Sequence, residues 1–437
     1  MSKLNKKLDL YGLTMIAIGS CIGAGIFITP YKVAAAVPNG SLILLIWTIG
    51  GLIALTGALT FAELGGMFPK AGGVYVFLKE AYGDLVAFLY GWGTLLVINT
   101  GALAAISMIF AEYFTYFVPL DGNEKVIVAI TVIVVLTIVN MLGVKTSQGF
   151  ANIFTGLKLL AIAAIILAGI IYFKPESSGL SATWSGPEPD NIISAMLLAL
   201  IGVLWSFGGW HHASYLAGET INAKRNVPRA MIIGTVVVTL TYVLINAAYL
   251  LLLPVDQIAN STKVAGDAIG SVFEFGGQAV ALAIGISIFG TIGIYTMSAP
   301  RIYFAMAEDG IFFPLLSKLH PTYKTPIYAM GIQSLWAIIL LLFWGTFHDL
   351  ITYVTFLDIA FMALAGFSIY IFRKRSPEKE RPYKTLGYPI IPFIFVFIST
   401  AFVLNTLVTQ PTHALAGLLL LAVGVMMYFF FKRKGKK

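Results

Sequence analysis

Charged residues are scarce in this chain, and their scarcity excludes most soluble folds. Asp, Glu, Lys and Arg make up 11% of 437 residues, whereas hydrophobic residues make up 58%. Soluble domains carry about 25% charged residues because water must cover their surface. Apolar stretches such as 41–60 and 126–139 contain no charge at all. Stretches near 20 residues match a bilayer core about 30 Å thick, so the composition predicts an integral membrane protein.

Cysteine and histidine are too few and too scattered to build the usual catalytic or metal centres. The single cysteine, Cys21, excludes an intramolecular disulfide and a cysteine metal cluster. The histidines lack HExxH spacing, and no nucleophile and base occur at a useful spacing. We therefore predict no metal, no cofactor and no enzymatic activity. The apolar segment 10–37 is too long for a signal peptide, so we expect it to stay in the mature protein.

Hydropathy predicts an all-α integral membrane fold with twelve transmembrane helices in a single domain, 1–437. Twelve crossings place both termini on one side of the bilayer. The predicted helices are 9–37, 41–66, 84–118, 125–142, 149–173, 190–217, 229–252, 268–306, 327–345, 350–373, 387–408 and 412–431.

The distribution of positive charge predicts the orientation of these helices. Of 28 Lys and Arg residues, all but five lie in loops or at helix ends on the side of the termini. Positive residues concentrate in cytoplasmic loops, so both termini are predicted to be cytoplasmic. The net charge of +8 is thus a topology signal and does not indicate nucleic acid. The five exceptions are Lys32, Lys125, Lys158, Lys174 and Lys263.

Glycine-rich segments interrupt the first and sixth predicted helices. Residues 19–25 read Gly-Ser-Cys-Ile-Gly-Ala-Gly, and 206–212 read Ser-Phe-Gly-Gly-Trp-His-His. Each glycine costs a helix about 1 kcal/mol relative to alanine. Breaks at these two positions predict two five-helix repeats, 9–173 and 190–373, followed by helices eleven and twelve in 387–431. Close packing through small residues is the alternative explanation for such segments.

A broken helix can bind a zwitterion with backbone groups alone. The half-helix that follows Gly25 would aim the N–H groups of Gly23, Ala24 and Gly25 at a carboxylate, helped by the positive end of its dipole. Carbonyl groups before the breaks would accept hydrogen bonds from an ammonium group. Such a site recognises the backbone of an amino acid and leaves its side chain to a pocket. The carbonyl groups in question belong to Cys21, Ile22, Trp205 and Gly208.

Short motifs along nearly the whole chain resemble those of one transporter superfamily. They lie at 19–30, 61–65, 68–75, 206–210, 218–220, 225–230, 301–310 and 381–383. Together they resemble the amino acid-polyamine-organocation superfamily, and within it the L-amino-acid transporter family and its bacterial members. This resemblance implies an inverted five-plus-five repeat with broken helices 1 and 6 and two extra helices, alternating access and an amino acid substrate.

The resemblance also suggests roles for residues at the breaks. The family commonly has Gly-Ser-Gly in the first break, whereas this chain has Ala24 in the middle position and lacks that hydroxyl. Trp205 stands where relatives often place an aromatic residue that closes over the substrate; the alternative is an interfacial tryptophan. Tyr295 resembles in position a residue that lines the family's substrate pocket. Interhelical hydrogen bonding is the alternative for the polar stripe of Thr291, Tyr295 and Ser298.

Lys158 lies within the predicted fifth helix, where a buried ammonium group is costly unless it is bonded. In sodium-independent relatives a lysine of this helix takes the place of a sodium ion. The resemblance implies that Lys158 bonds the backbone near Gly19 and a hydroxyl group of helix eight, from Ser298 or Thr291. Snorkelling toward the cytoplasmic surface is the alternative.

Five other polar residues are interpreted from their positions alone. Glu63 is expected to pair with Lys70 or with a loop arginine. Asn99 and Asp358 are expected to line the substrate path or to bond neighbouring helices. His211 and His212 are expected to be pocket or interface residues, with proton coupling as the alternative.

The sequence thus predicts a sodium-independent exchanger of small neutral L-amino acids. It would work in the cell membrane, with the lipid bilayer around it and without an obligatory partner subunit. No acidic group is obviously placed for a cationic side chain. Proton-coupled symport and an amino acid sensor that binds without transport are the alternatives, and an ion channel is a weak third.

Overall fold

The computed structural model describes residues 4–175, 178–180, 183–343, 347–409 and 411–434, and the side chains of all of these except 347–355, 413 and 434. Within these ranges every regular element is a helix. The predicted end of helix nine at 344–345, and Lys3, Lys436 and Lys437 of the charge pattern, lie outside the described residues.

Among the described residues, nine helices are long and apolar enough to cross a membrane. A bent pair of helices forms a further span, and two shorter apolar helices complete the twelve that were predicted. We label the spans α1 to α12 and the two halves of the broken ones a and b. Their bounds are Leu10–Cys21 (α1a), Gly25–Ala36 (α1b), Gly40–Met67 (α2), Asp84–Phe114 (α3), Gly122–Met141 (α4), Val144–Ile171 (α5), Ile192–Ser206 (α6a), His212–Tyr215 (α6b), Ala223–Leu252 (α7), Gly276–Glu308 (α8), Ile327–Phe343 (α9), Phe347–Arg375 (α10), Ile390–Thr409 (α11) and Pro411–Lys434 (α12).

Side-chain caps determine where several of these helices begin. Asp9 accepts a hydrogen bond from the Gly12 amide at 2.7 Å at the start of α1a. Asn39 caps α2 in the same way. Before α4, Asp121 and Glu124 form a reciprocal capping box. These side chains satisfy backbone donors that the first helical turn leaves unpaired, which fixes the entry of each span.

One span departs from regular α-helix in its middle. In α3, residues Thr94–Ile98 form a π-helical turn between Gly93 and Asn99. A π turn inserts one extra residue into the helix and rotates the side chains that follow it. Asn99 is the first residue after this turn, and it is buried.

The broken helix α1 lies at the centre of the bundle. Its first half packs against α5, α7 and α8, and its second half packs against α6a. Trp47 of α2 and Phe207 pack around Tyr242 of α7, with ring centroids 5.6 Å and 4.9 Å from that of Tyr242. This packing holds the breaks of α1 and α6 side by side.

Buried ion pairs tie the ends of the spans together. The Glu63 carboxylate accepts two hydrogen bonds from Arg373 at 2.8 and 2.7 Å, and the Arg381 guanidinium nitrogen Nε lies 3.2 Å from it. Pairing of Glu63 with a loop arginine was therefore predicted correctly. Lys70 instead lies 3.6 Å from Glu80.

A second buried pair was not predicted. Arg301 of α8 binds both carboxylate oxygens of Glu219 at 2.7 and 2.9 Å, and neither side chain is exposed by more than 1%. Arg301 also donates to the Met297 carbonyl. The Glu219 carbonyl accepts hydrogen bonds from Lys7 and Leu8, so this pair anchors the segment that precedes α1a.

Candidate substrate cavity at the helix breaks

The break in α1 is a tight turn centred on Ile22. The Gly23 amide donates to the Cys21 carbonyl at 2.8 Å, and Ile22 has φ −75° and ψ 85°, close to an inverse γ-turn. Helix resumes at Gly25, and the two halves are bent by 42°. The predicted interruption of α1 is therefore present.

The start of α1b presents fewer free donors than predicted. Gly23 uses its N–H group within the turn, so it is not free to bind a carboxylate. The N–H groups of Ala24 and Gly25 have no acceptor among the described residues, as expected at the first turn of a helix. Both residues line a cavity beside the break. Of the three N–H groups predicted to bind a carboxylate, those of Ala24 and Gly25 therefore remain free within the described ranges.

The carbonyl groups of the first break are already hydrogen-bonded. The Cys21 carbonyl accepts from Gly23 and from the Tyr242 hydroxyl, at 2.8 and 2.9 Å. The Ile22 carbonyl accepts from Lys158 at 2.7 Å, and Ile22 does not line the cavity. The expectation that both carbonyls are open to an ammonium group is wrong, because protein donors reach them first.

In the second break, as far as the structure describes the chain, one of the two predicted acceptors is free and the other, the Trp205 carbonyl, is already bonded. The helix α6a ends at Ser206, and the Trp205 carbonyl accepts from Gly208 at 3.1 Å. The Gly208 carbonyl has no donor among the described residues, and Gly208 is exposed and lines the cavity. The free backbone acceptor of this site therefore comes from α6 and the free donors from α1.

The two breaks touch each other directly. Ser20 donates from Oγ to the Gly209 carbonyl at 2.8 Å, and the hydroxyls of Thr29 and Ser206 lie 2.8 Å apart. Gly209 has φ +117°, and a Cβ atom there would lie 2.6 Å from the Ser20 carbonyl oxygen. Only glycine fits this contact, since any side chain would collide with the backbone of α1a.

Tyr242 joins the ends of both broken helices. Its hydroxyl lies 2.9 Å from the Cys21 carbonyl oxygen and 3.0 Å from the Ser206 carbonyl oxygen. These are the last residues of α1a and α6a, whose carbonyl groups lack helical partners. Sequence reasoning missed this residue, although a tyrosine inside the apolar run of α7 was the available signal.

The Lys158 side chain is 1% exposed and fully hydrogen-bonded. Its ammonium group lies 3.0 Å from the Gly19 carbonyl, 2.7 Å from the Ile22 carbonyl and 3.0 Å from the Thr291 hydroxyl. Three acceptors match the three hydrogens of an ammonium group. The predicted contacts with Gly19 and with a hydroxyl of α8 are both present, and snorkelling is excluded by the burial.

Ser298 was predicted as a partner of Lys158, and that prediction is wrong. Ser298 lies two turns along α8 from Thr291, about 10 Å at 1.5 Å per residue, too far for Lys158 to bond both. The Ser298 hydroxyl donates to the Ile294 carbonyl at 2.8 Å and lies 2.7 Å from His212 Nδ1. The Ser298 hydroxyl is therefore engaged with α8 and with His212 and does not reach Lys158.

These elements enclose a cavity of about 140 Å³. Tyr295 lies beside it, with its ring centroid 4.4 Å from that of His212. Asn99, Asp358, His211 and His212, whose roles the sequence left open, are also at the cavity. The predicted substrate-binding residues that line it are Cys21, Gly23, Ala24, Gly25, Trp205, Gly208 and Tyr295.

A match to a known family decides what kind of protein carries this cavity. The sequence profile of the amino acid permeases matches residues 8–431. The chain belongs to the amino acid permease family. The permease is thus a multi-pass membrane protein, as predicted, and its family is not one of enzymes. The inferred resemblance to the L-amino-acid transporters is also confirmed by its relatives.

Three relatives match the permease over nearly its whole length. The serine/threonine exchanger SteT of Bacillus subtilis (strain 168) is 30% identical over 99% of this chain and 98% of its own. The human b(0,+)-type amino acid transporter 1 is 30% identical over 98% of this chain and 88% of its own. The large neutral amino acids transporter small subunit 2 of Oryctolagus cuniculus is 31% identical over 98% and 80%.

Proposed function

We propose that the permease exchanges small neutral L-amino acids across the cell membrane, without sodium and by alternating access. The observation that carries this proposal is the meeting of two broken helices at one cavity. Free N–H groups come from Ala24 and Gly25, and a free carbonyl comes from Gly208. A zwitterion needs both kinds of group, because its carboxylate accepts hydrogen bonds and its ammonium group donates them. Every amino acid carries these two groups, so a site built from backbone atoms can recognise any of them.

The size of the cavity favours small substrates. An engineered apolar cavity of about 150 Å³ takes one benzene molecule, which has as many non-hydrogen atoms as alanine. The cavity here is about 140 Å³. Alanine, serine and threonine fit such a volume, whereas arginine or tryptophan would need the walls to move. The Bacillus relative is named as a serine/threonine exchanger, which is in keeping with this size.

Lys158 supports sodium independence. Its ammonium group already supplies a positive charge between α1, α5 and α8. The oxygen atoms that it binds, two carbonyls and a hydroxyl, are ligands of the kind that a hard cation would take. A lysine ammonium group at this position takes the place that a dissolved cation would otherwise fill.

The transport cycle that we propose moves the broken helices against the rest of the bundle. The repeats 9–173 and 190–373 would be inverted copies, with α11 and α12 of 387–431 outside them, and Trp205 would close over the substrate. Breaks in corresponding helices of two repeats are the arrangement that alternating access uses. The excess of Lys and Arg on one side favours cytoplasmic termini in the plasma membrane.

We further propose that the permease works without an obligatory partner subunit. The rabbit relative is named as a small subunit, so some relatives are parts of larger assemblies. The Bacillus relative aligns over 98% of its length and carries no such designation in its name. Purified permease alone should therefore be competent for exchange.

Reconstitution tests these statements together. Proteoliposomes preloaded with one of a panel of amino acids would be mixed with labelled serine, with and without sodium. We expect uptake that requires an internal amino acid and is unchanged by sodium. Uptake into empty vesicles that follows an imposed pH gradient would instead indicate proton-coupled symport. Saturable binding with no flux would indicate a sensor.

A further inference from the structure

The cavity is also lined by polar side chains that backbone recognition of an amino acid does not use. Asp358 of α10, Asn99 and Thr94 of α3 all line the cavity, and α10 packs directly on the π-helical turn of α3. The Asp358 carboxylate has no ion pair or hydrogen bond among the described residues. Ionisable groups inside a membrane are costly, so an unpaired one at a cavity calls for a functional explanation.

The hydrogen-bonding capacity of these groups is complementary to a hydroxyl group. Thr94 donates its hydroxyl hydrogen to the Tyr90 carbonyl at 2.7 Å, which leaves its oxygen as an acceptor. An ionised carboxylate only accepts. The Asn99 amide nitrogen is buried and has no acceptor among the described residues, and the whole residue is 4% exposed. Asp358 and Thr94 can thus accept a hydrogen bond from a hydroxyl group, and Asn99 can donate one to it. All three residues line the same cavity.

Neighbouring tyrosines do not satisfy Asp358. Tyr215 pairs with Tyr90 through their hydroxyls at 2.6 Å. The Tyr295 ring packs against His212, with ring centroids 4.4 Å apart. A serine or threonine side chain is the small group that supplies a hydrogen to the carboxylate and accepts one from an amide.

We propose that Asp358, Asn99 and Thr94 form a side-chain subsite that selects hydroxyl-bearing small amino acids over apolar ones of the same shape. This inference rests on the proposed function and specifies its substrate class. An apolar side chain in this place would leave buried polar groups unpaired. A site built to hydrogen-bond a hydroxyl group discriminates in this way against an analogue that lacks the hydroxyl. The sequence alone placed no acidic group for a cationic side chain, whereas Asp358 is an acidic group at the cavity.

The test compares substrates that differ only in the hydroxyl group. Exchange of threonine against valine, and of serine against alanine, would be measured as kcat/KM in proteoliposomes. We expect threonine to exceed valine by at least about tenfold in the permease. In Asp358→Leu that ratio should fall to about one or invert. Asp358→Asn keeps an acceptor oxygen of similar size and should retain part of the preference.

A control variant and the contrary outcomes complete the design. Ser399→Ala in α11 removes a buried hydroxyl that does not line the cavity, and it should leave the threonine-to-valine ratio unchanged. Equal kcat/KM for threonine and valine in the unaltered permease would overturn the subsite, as would preference for 2,3-diaminopropionate over serine. A uniform loss over all four amino acids in Asp358→Leu would also overturn it. Absence of any exchange by the unaltered permease would refute the proposed function itself.

Discussion

The Tyr242 hydroxyl lies 2.9 Å from the carbonyl oxygen of Cys21, the last residue before the first helix breaks. The same hydroxyl lies 3.0 Å from the carbonyl of Ser206, the last residue before the second break. One side chain of an unbroken helix thus holds the ends of both discontinuous ones. The geometry of the cavity depends on this contact, because its free N–H groups belong to α1 and its free carbonyl group belongs to α6. Tyr242 holds these two helices together at their breaks.

Replacing Tyr242 with phenylalanine tests that dependence. Tyr242→Phe removes the one hydroxyl hydrogen that the carbonyls of Cys21 and Ser206 share, a hydrogen bond worth about 0.5–1.5 kcal/mol, and leaves two carbonyl ends less restrained. We expect a lower Tm and a several-fold rise in KM for exchange. Tyr249→Phe, in the same helix, removes a buried hydroxyl that has no hydrogen-bond partner in the described structure, and it should change neither value. Equal effects of the two variants would contradict the role of Tyr242.

Removing the ammonium group of Lys158 should have a larger effect. Lys158→Ala removes the hydrogen bonds that a charged donor makes to the carbonyls of Gly19 and Ile22, each worth about 1.5–3 kcal/mol. We expect exchange to fall at least tenfold, measured as initial rates in proteoliposomes. Lys125→Ala removes a lysine near the start of α4 that pairs with Glu112 at the surface, and it should leave the rate unchanged. Full activity of Lys158→Ala would exclude an internal cation as the basis of sodium independence.

Gly209 should not tolerate even a methyl group. Gly209→Ala would place Cβ 2.6 Å from the Ser20 carbonyl oxygen in a backbone conformation that disfavours side chains. We expect destabilisation of about 1–3 kcal/mol, seen as a lower Tm in detergent, and a loss of exchange. The comparison is Gly277→Ala near the start of α8, where an added Cβ meets nothing within 4 Å. If Gly209→Ala has the same Tm as the unaltered permease, the contact between the two breaks is not a close one.

The buried pair of Glu219 and Arg301 should be far more sensitive than a surface pair. Glu219→Gln leaves a buried guanidinium group without its charge partner, a change that costs about 3–5 kcal/mol. Lys224 and Glu380 form an exposed pair, so Glu380→Gln should cost about 0–1 kcal/mol. Thermal unfolding of both variants measures the difference. Similar melting temperatures would show that the buried pair adds little to stability.

Sequence reasoning found the spans, the two breaks and Lys158 because each is a local property of the chain. A run of apolar residues, a cluster of glycines and a lysine inside an apolar helix are each visible without knowledge of neighbours. Ser298 was misplaced for the opposite reason. It shares a polar stripe with Thr291, but which member meets Lys158 depends on the height at which α5 crosses α8.

The carbonyl groups of Cys21 and Ile22 show the same limit. Their lack of helical partners follows from the break, and the sequence was sufficient to predict it. Whether substrate or protein binds them depends on Tyr242 and Lys158, which approach from α7 and α5. The pairing of Glu219 with Arg301 likewise joins residues 82 positions apart.

The sequence by itself determined that this chain is a twelve-span membrane protein with two interrupted helices. Hydrophobic runs and helix-breaking glycines affect only the backbone a few residues around them, so they can be recognised without knowledge of tertiary contacts. Only the tertiary structure decided which polar groups are satisfied by the protein and which remain free at the cavity. That distinction arises from side chains of distant segments, and in the part of the chain that the structure describes it leaves polar groups of Ala24, Gly25, Gly208 and Asp358 unpaired at the cavity.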